Sequence, residues 1–245
     1  MLCNISLRGL GVVFLFIISL AQAFGEGPII FGSFPISGLV IDENNGPLIE
    51  LTIEIAKRGH LEIEIIIQPR KRILYEFLSK KIDAFFPALD IDFNSPVEVI
   101  TSKGSLFLKK DFIFTRSGEP ILATIQELEG KTVGLTLGYP YSIELTDNPL
   151  IVFDIVADDT INVKKLMTKR IDAFVAEEYS GLSAIQTEGG LEQVQYDPFM
   201  PISESRDYYA FQNTENGKIL RDIFSRILDE MKNDGSYTRI IRKEM

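Results

Sequence analysis

Two stretches of this chain spell nearly the same seven residues, Ser79-Lys80-Lys81-Ile82-Asp83-Ala84-Phe85 and Thr168-Lys169-Arg170-Ile171-Asp172-Ala173-Phe174. The correspondence extends upstream at one constant offset, with Leu74, Phe77 and Leu78 matching Val163, Leu166 and Met167. These spacings put the apolar residues on one stripe of a helix. Each copy then passes a basic dipeptide into a short apolar run, Ile82 to Phe86 or Ile171 to Ala176, which is too short for a helix and reads as a buried strand. The unit is helix, tight turn, strand, and a chain that uses it twice is drawn toward two similar lobes. A match of this length leaves the alternative open, that two ordinary helix-to-strand turns coincide by chance.

Residues 1–23 are a unit of their own. Arg8 gives a basic start, Leu10 to Leu20 is apolar, and Ala21-Gln22-Ala23 has the small-x-small form of a cleavage site, which together read as a secretory signal peptide. The apolar run is short for a bilayer span, and no later segment approaches the necessary length. The mature chain is expected to start near Phe24 and not to be embedded in the membrane. Cys3, the single cysteine, falls in the removed part, and it precedes the apolar run, on the wrong side for a lipid-modified start. The exported protein would then rely on packing alone, with no thiol and no disulfide. A bacterial periplasm suits these features. The formal net charge is -10, and -11 without Arg8, with basic residues grouped only at Arg70-Lys71-Arg72 and from Arg239 to Lys243. That balance argues against nucleic acid as a partner.

The mature chain opens on the apolar run Ile29 to Phe34, expected as the first strand of a central sheet and stopped by Pro35. Ser37-Gly38 and Asp42-Glu43-Asn44-Asn45-Gly46 are turn chemistry, and Pro47 suits the start of a helix whose buried stripe would be Leu48, Leu51, Ile55 and Ala56. Leu61 to Ile65 alternates with period two, and Ile66 and Ile67 complete a strand. With the first repeat unit added, the alternation of strand and helix means a parallel sheet with helices on its faces. Ligands of such sheets sit at the carboxyl ends of the strands, here the loops Phe34 to Gly38 and Pro87 to Ser95. Leu106 to Phe114, apolar apart from Lys109-Lys110-Asp111, reads as an extended connector between lobes. Beyond it the pattern restarts: a short helix at Ile125 to Leu128, strands at Lys131 to Leu137 and Ile151 to Val156, and the loop Gly138-Tyr139-Pro140-Tyr141 between them. Asp158-Asp159-Thr160 is an N-cap for the second repeat unit, which ends at Glu177-Glu178-Tyr179. Tyr208 to Phe211 reads as the return crossing, and Ile219 to Met231 as an amphipathic helix stopped by Asp234-Gly235. The expected architecture is α/β and two-lobed, each lobe a mainly parallel sheet flanked by helices. Residues 24–108 and 206–245 would form lobe 1 and residues 109–205 lobe 2, with the two crossings as a hinge behind a cleft.

Several segments carry a resemblance. They are Phe34-Pro35 after the first strand, Asp42 to Gly46 ahead of a helix ending Ile55-Ala56-Lys57-Arg58, and Pro69 with Arg72 ahead of the first repeat unit. To these are added Leu128-Glu129-Gly130-Lys131-Thr132-Val133-Gly134 and Asn233-Asp234-Gly235-Ser236-Tyr237-Thr238-Arg239-Ile240-Ile241. In this order and spacing the sequence resembles the bacterial extracellular solute-binding proteins of family 3, the polar amino-acid type, over nearly all of the mature chain. The resemblance implies the type II periplasmic binding protein fold and a monomer without cofactor that traps a small molecule between its lobes. That molecule would be presented to the permease of an inner-membrane ABC transporter, with no covalent chemistry. The resemblance further implies an arginine after the third strand that clamps the ligand's α-carboxylate. In the matching stretch, Asp90-Ile91-Asp92-Phe93-Asn94-Ser95-Pro96, that position falls on Ser95. The family's small hydroxyl residue after the second-lobe glycine, which helps bind the same carboxylate, falls on Tyr139 after Gly138. The acidic residue that receives the ligand's amine falls on Glu177. These departures imply a small polar ligand that offers a cation or hydroxyls, without an α-carboxylate in the usual place.

Asp90, Asp92 and Glu177 would attract an amine, and Tyr139, Tyr141, Tyr179 and Phe34 would stack on a ring or cover a cation. Ser37, Ser95 and Gly138 complete the expected lining. Asp90 and Asp92 equally suit turn capping, and Glu178 takes the place of Glu177 if the register slips by one. Asp83 and Asp172 suit capping of local backbone groups. Arg72 suits an exposed helix face beside Arg70 and Lys71. His60, the single histidine, lies in a helix-to-strand turn with no second ligand near it in sequence, which argues against metal binding and base catalysis. Phe77, Phe85, Phe86, Phe174 and Phe224 fall on apolar faces and suit the core. Two other functions stay open. One is an enzyme of the cyclohexadienyl dehydratase type, which would need a carboxylate-binding arginine and a general acid and would have Glu177 as that acid. The other is a module reporting its ligand to a membrane sensor.

Overall fold

The structure is a computed structural model that describes residues 27–89 and 99–241. The expected signal peptide, residues 1–23, and the candidate residues Asp90, Asp92 and Ser95 lie outside the described residues.

The first series is β1 (Ile29–Ser33), α1 (Pro47–Arg58), β2 (Ile63–Ile67), α2 (Arg70–Leu78) and β3 (Ala84–Ala88). Pro47 stands in the first turn of α1, where its missing N–H has no helical partner to lose, and Leu48, Leu51, Ile55 and Ala56 are on the buried face. After β4 (Val99–Thr101) and the long β5 (Phe107–Arg116), a short 3-10 turn leads into the second series. That series is β6 (Thr132–Thr136), α3 (Ile143–Thr146), β7 (Val152–Val156), α4 (Asp159–Met167), β8 (Ala173–Glu177) and α5 (Glu178–Thr187). β9 (Val194–Gln195), the long β10 (Ser203–Gln212), α6 (Glu215–Asn233) and α7 (Ser236–Ile241) follow.

The strands lie in the order β2-β1-β3-β10-β5-β8-β6-β7, with β4 on β10 and β9 on β5. β1 is parallel to β2 and β3, and β6 to β7 and β8. β10 and β5 are antiparallel to each other and to β3 and β8. The order is one set, β2-β1-β3-β10, followed by its repeat in reverse, and the two meet where β10 pairs with β5.

The repeat holds to the level of single bonds. Phe31 sits opposite Ala84 and Gly32 opposite Phe85, as Val133 sits opposite Ala173 and Gly134 opposite Phe174. Asp83 accepts from the N–H of Ile30 and Asp172 from that of Thr132, both at 2.8 Å. These carboxylates thus hold the neighbouring strand rather than their own turn. Lys80 and Lys169 both take left-handed backbone at φ 59°. The last residue of each long strand clamps the same turn: Gln212 Nε2 donates to the carbonyls of Phe77 (2.6 Å) and Ile82 (3.3 Å). Arg116 Nη1 donates to those of Leu166 (3.2 Å) and Ile171 (2.5 Å). Matching strand register, matching carboxylate bonds and matching clamps are more than two coincident turns would supply.

One apolar cluster gathers β1 to β3, α1 and α6 around Phe31, which stacks on Phe224 at 4.9 Å and meets Phe86, Tyr209 and Phe211 edge-on. Two smaller clusters cover the faces of the second set, one with Phe112, Phe114, Leu166 and Phe174, the other with Ile113, Val133, Leu135 and Val175. Phe77, Phe85, Phe86, Phe174 and Phe224 are buried, as their spacing implies. Two expectations are corrected. Leu78, placed on the buried stripe of the first repeat unit, is 45% exposed; the buried pair of α2 is Ile73 and Phe77, four residues apart on one face, and Leu78 lies past its edge. The return crossing begins at Ser203, ahead of Tyr208. Its polar first half pairs with β5, while Tyr208 to Gln212 already belongs with β3 and β4.

Candidate functional site

Where β5 and β10 pair, Phe107 stands opposite Asp207, Lys109 opposite Ser205 and Asp111 opposite Ser203. Strand alternation turns Phe107, Lys109 and Asp111 inward, where all three are buried, and leaves Leu108 exposed. The floor between the two sets is therefore charged. Lys109 Nζ donates to Asp111 Oδ2 at 2.5 Å, with the side chains 6% and 2% exposed. Ser203 Oγ donates to the same oxygen at 2.6 Å. Asp111 Oδ1 is buried with no hydrogen-bond partner among the described residues. Tyr139 covers the ion pair, its ring centroid 5.0 Å from Lys109 Nζ, a cation–π arrangement.

Phe34, just past β1, and Arg70, the first residue of α2, form the facing wall, with the Arg70 guanidinium 5.4 Å over the Phe34 ring. Phe34, Arg70, Lys109, Tyr139, Pro140 and Asp207 surround a cavity of ≈20 Å³, room for about one water molecule. A solute the size of an amino acid enters only when the two sides part.

Glu177 is paired with Asp111 across β8 and β5 and is 1% exposed. Its Oε2 accepts from the N–H of Ser180 at 3.1 Å, so it caps α5 as a carboxylate at a helix start does. Burial raises its pKa from 4.5 to about 8; Asp111 adds to the rise, while the Ser180 and Tyr179 N–H groups and Lys109 oppose it. The rise favours the protonated carboxyl, which can donate as well as accept. Glu178, the alternative, accepts from the Tyr196 hydroxyl at 2.9 Å.

Gly138 has φ 78°, a left-handed value that glycine takes without strain, and it lets the Tyr139 N–H fold back onto the Thr136 carbonyl at 3.2 Å. Tyr141 is set back from the cavity. Its hydroxyl accepts from the N–H of Thr136 (2.8 Å) and donates to the Val175 carbonyl (3.3 Å), tying β6 to β8, and its ring lies 5.4 Å from that of Tyr139. Burial pushes both hydroxyls well above their ordinary pKa, with Glu177 adding to the effect at Tyr139 and Asp159 at Tyr141. Ser37 and Tyr179 sit beside the cavity rather than on it. The Ser37 carbonyl accepts from Ser180 Oγ at 3.1 Å, and Ser37 Oγ lies 3.3 Å from Ser183 Oγ. Tyr179 meets Phe107 edge-on at 5.4 Å. Both border a wider groove of ≈740 Å³ between the Pro35–Ile41 loop and α5.

Arg70, Lys109, Asp111 and Asp207 escaped the sequence reading. Arg72 does lie on an exposed face, its side chain 69% exposed and paired with Glu76, but Arg70 begins the helix and turns onto Phe34. For Lys109 and Asp111 the signal was their period-two spacing with Phe107 inside an apolar strand. Asp158 is the N-cap of α4, accepting from the N–H groups of Thr160 and Ile161, whereas Asp159 is buried and accepts from Thr136 Oγ1 at 2.5 Å. Burial raises the Asp159 pKa against the hydrogen bonds from Thr136 and Asn162. Arg70 and Asp159 occupy matching positions of the repeat, the first residues of α2 and α4. His60 sits in the turn after α1 at φ 52°, and no group of His, Cys, Asp or Glu suited to a metal ion occurs among the described residues.

No protein-family model matches the chain. It is 24% identical over 222 residues to a Vibrio harveyi protein named as an amino-acid ABC transporter-binding protein, a match covering 84% of this chain and 82% of the other. It is 24% identical over 205 residues to the lysine/arginine/ornithine-binding periplasmic protein of Escherichia coli K12, covering 80% and 76%. The ligand-binding core of GluR0 from Nostoc punctiforme, solved with L-glutamate, matches at a TM-score of 0.73 and 21% identity over 89% of this chain and 99% of that one. The chain is thus similar in sequence to proteins named as amino-acid-binding proteins of ABC transporters, and its α/β fold is that of the solved ligand-binding proteins of this kind.

Proposed function

We propose that the chain is an exported solute-binding protein that closes on a small polar, amino-acid-like ligand and presents it to the permease of an ABC transporter. Its lobes in this reading are residues 24–108 with 206–245, and residues 109–205. The observation that carries the proposal is the gathering of both signs of charge where the two halves meet. Arg70 and Lys109 bring cations, Asp111 and Asp207 carboxylates, and Phe34 and Tyr139 aromatic walls. A small zwitterion offers both signs within one molecule's length and so complements such a cleft better than a neutral solute or a lone ion. Arg70 takes the ligand's carboxylate in this reading, the role that the resemblance gave to an arginine at Ser95, and Asp111, Asp207 and Glu177 form the acidic side toward an amine. Capture is non-covalent, and a ligand touched by both lobes at once favours the closed form. Residues 1–23 serve as the export signal to the periplasm. No helix among the described residues is long and apolar enough to cross a membrane.

The test is a thermal-shift screen of the mature protein against L-amino acids, amines, sugars and aromatic acids. A ligand of the folded cleft raises the melting temperature with its concentration, and the expected hits are amino acids or close analogues. A screen in which no amino acid or amine moves the transition rejects the proposal.

A further inference from the structure

We infer that Lys109 sets the ligand class: its ammonium already holds the acidic floor of the cleft, so the side group of the solute is a carboxylate or a carboxamide and not a second cation. The inference rests on the amino-acid-like ligand proposed above and specifies it.

Three features place Lys109 where a ligand's cation would otherwise go. Its bond to Asp111 is short and both side chains are almost fully buried, so water and salt screen the pair poorly. The aromatic face that the cleft offers to a cation, that of Tyr139, is already turned to Lys109 Nζ at 5.0 Å. Lys109 also stands on the cavity wall with Arg70 and Asp207; with Asp207 assigned to the ligand's α-amine, a second ammonium on the solute meets two like charges in a poorly solvated space. A purely structural ion pair accounts for the contact with Asp111 but not for the ring placed over its cation or for its position on the cavity wall.

What the floor still offers points to the opposite chemistry. An ammonium has three N–H donors, and one of those on Lys109 is spent on Asp111. Asp111 Oδ1, beside it, is a buried acceptor with no partner among the described residues. A carboxamide matches that pair of groups, its oxygen on Lys109 and its N–H on Asp111, and a carboxylate matches the donors alone. The chain would then differ in ligand charge from its Escherichia coli relative, which is named for lysine, arginine and ornithine.

The experiment is isothermal titration of the mature protein and of the variants Lys109→Met and Lys109→Gln with L-glutamate, L-glutamine, L-lysine and L-ornithine. The unaltered protein is expected to bind L-glutamate or L-glutamine at least tenfold more tightly than L-lysine or L-ornithine. Each variant frees Asp111 for a ligand's ammonium and should shift that ratio tenfold or more toward the cations. Thermal melting with L-ornithine gives a second readout, a rise for the variants and none for the unaltered protein. Should neither variant fold, the order of affinities in the unaltered protein decides. Lysine or ornithine bound as tightly as glutamate by the unaltered protein, or the same order kept in both variants, overturns the inference and leaves the proposed function standing. If none of the four binds the unaltered protein or a variant, the inference falls, and the thermal-shift screen decides the amino-acid reading.

Discussion

Glu177 has two duties that pull against each other, capping α5 and lying buried beside Asp111. Its proton is held to about 8 in the folded chain against an ordinary 4.5. The folded chain therefore binds more protons than the unfolded one between those values, and stability from this group is full below about 4.5 and lost as pH rises through about 8. Glu177→Gln, which keeps the protonated shape, should match the parent at pH 5 and exceed it by on the order of 2–4 kcal/mol at pH 9, measured by urea unfolding at both pH values. A difference that stays flat with pH would mean the carboxyl is not buried as described. Arg70→Met should weaken any carboxylate-bearing ligand tenfold or more in titration while leaving the far-ultraviolet dichroism unchanged. Neither Arg70 nor Lys109 was legible as a cleft residue, because a basic residue at a helix start or in a mid-strand position can face water or ligand, and only the packing of Phe34 and Tyr139 decides which.

At the scale of elements, the repeat was the most legible feature, and the structure gives it a mechanical reason. Gly32 and Gly134 each lie under a repeat-unit isoleucine, Ile82 or Ile171, and an added Cβ would collide with Ile73 and Ile82 in one copy and with Asn162 and Ile171 in the other. Alanine at either glycine should cost about 1–3 kcal/mol by overpacking, read in denaturant unfolding and similar in size at the two sites. Asp83→Ala and Asp172→Ala each remove a bond to the neighbouring strand. Each should cost about 1 kcal/mol, with the double variant additive, since the sites share no partner. Leu78 was misplaced because the sequence gives the period of a helix but not where its buried arc ends.

For the whole molecule, we propose that closure depends on a small contact between the two halves, at the groove between the Pro35–Ile41 loop and α5. Gly38 has φ 71°, and a Cβ there would come within 3.0 Å of the Ser183 Cβ and 3.2 Å of the Tyr179 carbonyl. Gly38→Val should part the lobes, giving a larger radius of gyration in small-angle scattering and weaker ligand binding with the fold intact. An unchanged radius would separate this contact from closure. The alternation of strands and helices and the duplicated unit could be read from the residues alone, because these follow from hydrophobic periodicity and turn chemistry, which are local. Which side chains meet between the two halves could not be read that way. Lys109, Asp111 and Asp207 lie on the two crossing strands and Arg70 and Tyr139 on opposite halves, and the charge of a site assembled from both halves is settled by which side chains their packing leaves without water.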